Sequence, residues 1–597
     1  MEIESRDFLN TPPLKTVRFG GSVVETLSKY TQGDMSDYEL LKYQLTDPNI
    51  KDAQIITWLQ EFRNCVSQLT KEHEQLIYSI LRLPWLGRSQ AVADEYMCFL
   101  SNLVSAQTLY LCACLNMLVS HFTPKRVTIS EGGVDISDSE DEDDDLPRMF
   151  QHCHQALQLI TKYVPCTSQF LLPILQDNFP FVQKSSRTLE CYVHNLLRMS
   201  LYIPSIRADV LEIIVGQMLK LDVGVSRSDM EEAEGKAASS RDSSAEEALF
   251  EMDEDLPSDQ PCSLGTMAHP VAERLDALMS VMLAYIKDVC HVDGTLHMDR
   301  TKELYRDFLK VFDKLILPTH ACSHIQYLLF YLCSFKLTLA EAFLDHLWRI
   351  LQNPTQPAVL RQAAMGYMGS LLARAKFIPV LTVRACLDLL ISWIHGYMDR
   401  GAGQDCCDLN LHGAFYAACQ AVFYTLIFRH TAILAGNMKK GVEYLESLNL
   451  EKIVMCHLNP LKVCLPVVTS MFAAITRKYQ LVFCYTIMER NKRQWLPVVR
   501  SSTGGHSVST NTNTLDSFFP FDPCLLKRTA QIISPLYQVW ESDHSQLIQQ
   551  ASREGDYDFL QGETPQGDGI TGMTPRSWDS CGPCSVGSPP VCFQKHF

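Results

Sequence analysis

"AFLDHLWRILQNPTQPAVLRQAAMGYMGSLLARAKFIP", Ala342 to Pro379, carries two helical patterns joined by a proline turn. In the second pattern Leu360, Ala363, Ala364, Tyr367, Met368 and Leu371 recur at three- and four-residue steps, the spacing of one buried helix face. The small residues Ala363, Ala364 and Gly366 leave room for a neighbouring helix to come close.

The same rhythm runs outward in both directions. In "DAQIITWLQEFRNCVSQL", Ile55, Ile56, Leu59, Phe62, Val66 and Leu69 keep helical steps, and Ser36-Asp-Tyr-Glu39 reads as a capping box. Further helices are expected near 89–105, 150–163, 187–202, 206–221, 270–290, 299–316, 321–335, 338–352, 357–375, 380–398, 412–429, 440–456 and 466–490. Prolines mark the joints, among them Pro84, Pro165, Pro204, Pro318, Pro354, Pro379 and Pro460. Strand-like alternation is scarce, so the fold class is all-α. A helix pair of this length resembles a HEAT-type unit, with a period of about 40–47 residues. The expected architecture is a HEAT-repeat superhelical solenoid with disordered acidic insertions; the alternative is a pair of irregular helical domains.

The chain has 597 residues, 46% of them hydrophobic, enough for several compact domains or one extended array. No run of 18 or more apolar residues argues for a membrane span. The opening "MEIESRDFLNTPPLK" lacks a secretory pattern, so the 22 cysteines read as reduced, buried thiols. The formal charge is −16 and it is concentrated. Asp135–Asp145 holds eight acids and no base, and Asp229–Asp259 holds twelve acids against Lys236 and Arg241. The remainder is close to neutral. No strongly basic face is apparent, so little direct nucleic-acid binding is expected. Acid-rich segments cannot bury enough apolar area to offset their ordering entropy, and a stacked array tolerates them as loops. The expected organisation is a largely disordered segment over 1–35, then a solenoid over 36–492. Insertions at 129–147 and 223–268 interrupt it. A C-terminal extension packed on the solenoid follows over 493–540, and a disordered tail over 541–597.

Enzyme motifs come close and fail. His73-Glu74 begins like a zinc-protease helix, but Ile77 stands where the second histidine belongs. Cys581-Gly-Pro-Cys584 lies in a Gly/Ser/Pro tail, without the strand and helix that would lower a thiol pKa. His152-Cys153-His154 reads as a helix start. No phosphate loop or nucleophile elbow occurs, and no metal or cofactor is expected. Modification sites are better supported. Ser137 and Ser139 each have a glutamate three residues on, the spacing that acidophilic kinases read. Thr11-Pro12 and Ser588-Pro589 are proline-directed candidates.

Several stretches resemble one family. "TPPLKTVRFGGSV", "SILRLPWLGRSQ", "NLVSAQT", "RTLECYVHNLLR", "MAHPVAERLD", "KDVCHVDG", "LLARAKFIP" and "FFPFDPCLLKRT" are similar, in the same order, to the animal RNA polymerase I-specific transcription initiation factors, the Rrn3 or TIF-IA family. The likeness runs from about Asp7 to Val539 and fades after Trp540, apart from "SVGSPP". It implies a HEAT-repeat protein without catalytic activity, in the nucleus and nucleolus. In the nucleoplasm and cytoplasm the family is found when inactivated. The implied partners are RNA polymerase I, the TBP-containing promoter selectivity factor at ribosomal RNA genes, and protein kinases that regulate these contacts. It further implies a selectivity-factor contact at Leu372, Ala373, Arg374, Ala375 and Lys376, and a stress-kinase target at Thr167, between two helices. On the residues alone, 372–376 is equally the end of a repeat helix, with Arg374 and Lys376 free. A HEAT scaffold of another kind, such as a nuclear transport receptor, is the rival reading.

Overall fold

The computed structural model describes residues 20–47, 50–124, 145–247, 265–320, 322–400, 409–495, 515 and 519–539. Among these the fold is almost wholly helical, and the chain forms two compact units, Met1–Ile213 and Ile214–Phe597. The acidic run from 129 to 144 and the tail from 541 lie outside the described residues.

In the first unit helices pack on their second neighbours, as stacked layers of a repeat fold do. Asp52–Asn64 lies on Gln90–Ala106, which lies on Leu146–Tyr163, while Leu111–Ser120 lies on Thr167–Asp177. The core is aromatic, and two of its buried tyrosines place their hydroxyls on main-chain carbonyls. Trp85 stacks on Tyr96 at 4.8 Å, the Tyr96 hydroxyl donates to Ile80 O at 3.1 Å, and that of Tyr192 donates to Leu175 O at 2.6 Å. Two expectations change here. Residues 23–31 were expected within a largely disordered segment. They form a helix with Val23 and Leu27 buried, and the Val23 N–H donates to Glu61 Oε2 at 2.7 Å. Ser36 is the first helical residue rather than a capping-box serine; Asp34 Oδ1 accepts from its N–H at 3.1 Å and from its hydroxyl at 2.7 Å.

The second unit is organised around Leu409–Leu434. That helix packs against Ala358–Arg374, Val380–Arg400 and Pro466–Lys478. Its 411–434 portion is long and apolar enough to cross a membrane, contrary to the reading by runs, and 94% of its most apolar window is buried in the protein. An all-round apolar helix is what the centre of a helical layer requires. Val380–Arg400 also reaches that length and composition; it buries the stripe Val383, Leu387, Leu390, Ile394 and Met398. The opening 342–379 stretch appears as Leu337–Gln352 and Ala358–Arg374. Close approach to the next helix comes at Gly369, where a Cβ would stand 2.8 Å from the Cα of Ala421.

Three expected helices are interrupted. The 440–456 pattern breaks at Asn449 (φ 48°), and the 466–490 pattern breaks near Gln480 (φ 52°), both left-handed. The 299–316 pattern ends in a π-turn over Phe312–Ile316. The only strands among the described residues, His291–Val292 and Thr295–Leu296, form a hairpin around Asp293-Gly294, both at positive φ. The insertion expected at 223–268 is helical over Arg227–Glu247. Tertiary contacts supply what its composition lacks: Met230 is buried, and Glu234 pairs with Lys527 at 2.7 Å.

Candidate interaction site

The 372–376 stretch lies where Ala358–Arg374 ends. The helix is buried on every side from Ala364 on, except at Gly366. Leu372, Ala373, Arg374 and Ala375 are all inaccessible, and Lys376 alone is exposed. The expectation of a free Arg374 is therefore corrected. Its side chain is 1% exposed. The guanidinium carbon sits 4.2 Å from the Phe428 ring centroid, 5.3 Å from that of Tyr537 and 5.9 Å from that of Tyr424. Its Nε donates to the Tyr424 hydroxyl at 3.1 Å, one terminal nitrogen to Gln538 O at 3.4 Å, and the other faces Asp522 Oδ1 at 3.9 Å. Burial works to lower the guanidinium pKa; the facing Tyr424, Tyr537 and Asp522 outweigh it, and the pKa stays above the usual value. A planar cation stacks on aromatic faces at less desolvation cost than an ammonium, which is why arginine fits here. Arg429 satisfies the helix end, donating to Leu372 O at 2.7 Å and to Ala375 O. Burial lowers its pKa to about 10.

What covers the stretch is the segment 519–538. Phe521 is buried; its N–H donates to Ser370 Oγ at 3.0 Å, and its carbonyl accepts from the Tyr537 hydroxyl at 2.8 Å. Gln326 donates to Pro520 O, and Tyr327 to Asp522 O at 2.5 Å. Phe519 stacks on Tyr424 at 4.2 Å. Farther along, Asp276 accepts from the N–H groups of Arg528 (2.8 Å) and Thr529 (3.0 Å) and from the Thr529 hydroxyl (2.7 Å). The segment then pairs, Ala375 opposite Tyr537, with the Lys376 N–H on Leu536 O (2.9 Å) and the Gln538 N–H on Arg374 O (2.7 Å). Sequence reasoning placed a C-terminal extension against the helices but missed which residues receive it. A signal that could have found them is the aromatic density of "FFPFDP" beside a polar "KRT".

A family model for the RNA polymerase I specific transcription initiation factor RRN3 matches residues 16–545. The chain belongs to that family. It is 58% identical to the mouse RNA polymerase I-specific transcription initiation factor RRN3, over 98% of this chain and 92% of that one. At that coverage the alignment reaches beyond Trp540, where the quoted motifs had faded. The Schizosaccharomyces pombe factor rrn3 is 26% identical over 91% of this chain and 90% of its own. A crystal structure of RNA polymerase I transcription initiation factor Rrn3 superposes with a TM-score of 0.64 at 20% identity, covering 87% of this chain and 97% of that one. The all-helical fold is that of the RRN3 family.

Thr167 is not between helices, as expected, but opens Thr167–Asp177. It is fully buried, and its hydroxyl donates to Val164 O at 2.6 Å. Thr11, Ser137, Ser139 and Ser588 lie outside the described residues, as does the Cys581–Cys584 pair. His152 and His154 do not converge. Nε2 of His152 faces Gln90 Oε1 at 3.2 Å, while His154 lies between Tyr202 Oη (2.8 Å) and Asn195 Oδ1 (3.1 Å), and burial lowers its pKa to about 4. Among the described residues no three His, Cys, Asp or Glu side chains gather as a metal site. Burial pushes the Cys114 thiol up to about 12, the opposite of what a nucleophile needs.

Proposed function

We propose that this protein is a non-catalytic initiation factor for RNA polymerase I. It binds the polymerase, keeps it competent to initiate, and links it to the promoter selectivity factor at ribosomal RNA genes. The observation that carries this reading is the 58% identity to the mouse factor across nearly the whole of both chains. The fold is compatible with it: stacked helix pairs present separable surfaces without needing a pocket. The reading places the protein in the nucleus and nucleolus, and in the nucleoplasm and cytoplasm when inactivated.

The selectivity-factor contact is assigned to 372–376, with Lys376 as its exposed cation. Phosphorylation at Thr11, Ser137, Ser139, Thr167 and Ser588 regulates the contacts. A phosphate adds about −1.5 to −2 charge, and on Ser137 or Ser139 it would enlarge a field already made by Asp135–Asp145. The test is reconstitution. Purified protein added to RNA polymerase I, selectivity factor and a ribosomal RNA promoter should restore specific transcripts, and it should bind purified polymerase I directly. Binding to a small nuclear GTPase, with no binding to polymerase I, would favour the transport-receptor reading instead.

A further inference from the structure

We infer that residues 534–539 act as an intramolecular stand-in for a partner strand, so that the edge at Arg374–Lys376 becomes a strand-pairing site when they leave. The inference rests on the assignment of 372–376 as a selectivity-factor contact, and it says how so buried a stretch could serve as one.

The groups involved are few and specific. The Lys376 N–H and the Arg374 carbonyl are the two backbone groups of this edge, and both are now taken by Leu536 O and the Gln538 N–H. Departure of 534–539 would leave them open to an incoming extended chain in the same register, the arrangement of β-strand addition. Arg374 would lose the Tyr537 face and the Gln538 carbonyl but keep Tyr424 and Phe428. A partner strand should therefore restore what was removed. It needs an aromatic side chain opposite Ala375, to cover Arg374, which keeps Asp522, with a carboxylate nearby to answer Lys376.

The covering segment is unevenly anchored, which is what allows one part to move. Residues 520–529 are gripped by Gln326, Ser370, Tyr327 and Asp276. After Ile533 the anchors are the two backbone bonds, the Tyr537 ring against Arg374, Tyr327 and Phe330 with its hydroxyl on Phe521 O, and Gln538, whose amide donates to Phe428 O at 3.2 Å and whose carbonyl accepts from Arg374. Ser534, Pro535 and Val539 are exposed. Release that stops at Ile533 frees the Phe521 carbonyl and uncovers Tyr327 and Phe330, but leaves the bonds at Pro520, Asp522, Arg528 and Thr529 in place.

The test is the full-length Gln538→Pro variant. Proline removes the N–H that donates to Arg374 O, and Tyr537 already holds an extended conformation (φ −106°, ψ 133°) that a following proline accepts. Three readouts are taken: hydrogen exchange at the Lys376 amide, melting temperature, and affinity for purified selectivity factor. The expected result is faster exchange at Lys376 with the melting temperature of the remainder kept. Affinity should rise at least about threefold, since apparent affinity scales with the competent fraction. A peptide of residues 534–540 in excess should reverse the gain. A chain ending at Ile533 opens the edge by construction and is measured alongside. If both variants fold and bind the selectivity factor no more tightly than the parent, the stand-in role is overturned. If parent and variants alike fail to bind it, the assignment of 372–376 falls, and this inference with it.

Discussion

At the scale of single residues, the cations of the 372–376 stretch have opposite fates. Arg374 is a buried member of an aromatic cage, and Lys376 is a surface side chain whose backbone alone is engaged. Arg374→Ala would strip the Tyr424 hydroxyl, the Gln538 carbonyl and Asp522 of a partner. Breaking one side of a buried charged contact costs on the order of 3 kcal/mol. Lys376→Ala should cost within about 0.5 kcal/mol, as surface changes do. Urea denaturation of both variants checks this. A loss of partner binding in Arg374→Ala alone would then report the fold, and one in Lys376→Ala would report the surface. Thr167 demands the same distinction. No kinase can reach its hydroxyl until the Val164–Thr167 turn opens. Thr167→Asp should cost about 2 kcal/mol or more, because a charge enters a buried position and the helix N-terminus offsets only part of that. A melting temperature equal to the parent's would show that the turn opens freely.

At the scale of elements, the C-terminal segment is held by side chains reserved for its backbone. Asp276 is fully buried in Pro270–Cys290, yet it meets two N–H groups and a hydroxyl of residues 528–529. A carboxylate so used caps the short helix Lys527–Ile533, and Ser370 does the same service for Phe521. Asp276→Ala should cost about 1–3 kcal/mol, the range for buried donors left without acceptors. The diagnostic readout is local: the amides of Arg528 and Thr529 should exchange faster while those of Ala358–Arg374 keep their protection. Loss of protection in both would mean that the segment and the helices it crosses unfold as one unit.

At the scale of the whole molecule, charge and titration act on different parts. The first unit buries three histidines whose pKa values are lowered by burial, His73, His152 and His154, with His154 at about 4. Each has a folded pKa below its unfolded one, so the unfolded chain takes up the proton first. The associated stability is complete above about pH 6.5 and is lost as pH falls towards 4; for His154 alone this is on the order of 3 kcal/mol. Melting temperature should therefore decline between pH 6.5 and 5, and the decline should shrink in His154→Gln. An unchanged slope in that variant would place the effect elsewhere. The acidic run Ile136–Asp145 should act only through partners. Replacing it with a short Gly/Ser linker should leave the melting temperature unchanged and weaken polymerase I binding more at low salt than at high salt. Exposed charges are screened within about 8–10 Å at physiological ionic strength. Equal binding at both salt concentrations would make the run a bystander.

Most helices were legible in the sequence, because contacts at three and four residues write their period into it. Pro270–Cys290 and Leu337–Gln352 fall within a residue of their expected bounds. The Asp293-Gly294 turn was also written locally and was passed over. The left-handed break at Gln480 was not written, since glutamine has no preference for that region; Asn449 is of a residue type that enters it, and its signal was passed over. The fate of 372–376 was decided by tertiary structure alone. A helix end with two cations reads as half exposed, and nothing within ten residues says otherwise. What buries Arg374 lies 50 residues away at Tyr424 and 164 away at Gln538. The sequence by itself determined an all-helical chain of the RRN3 family, through local periodicity and ordered motifs. Only the tertiary structure decided which of its cations reaches solvent, because burial of a charge depends on partners that no local pattern records.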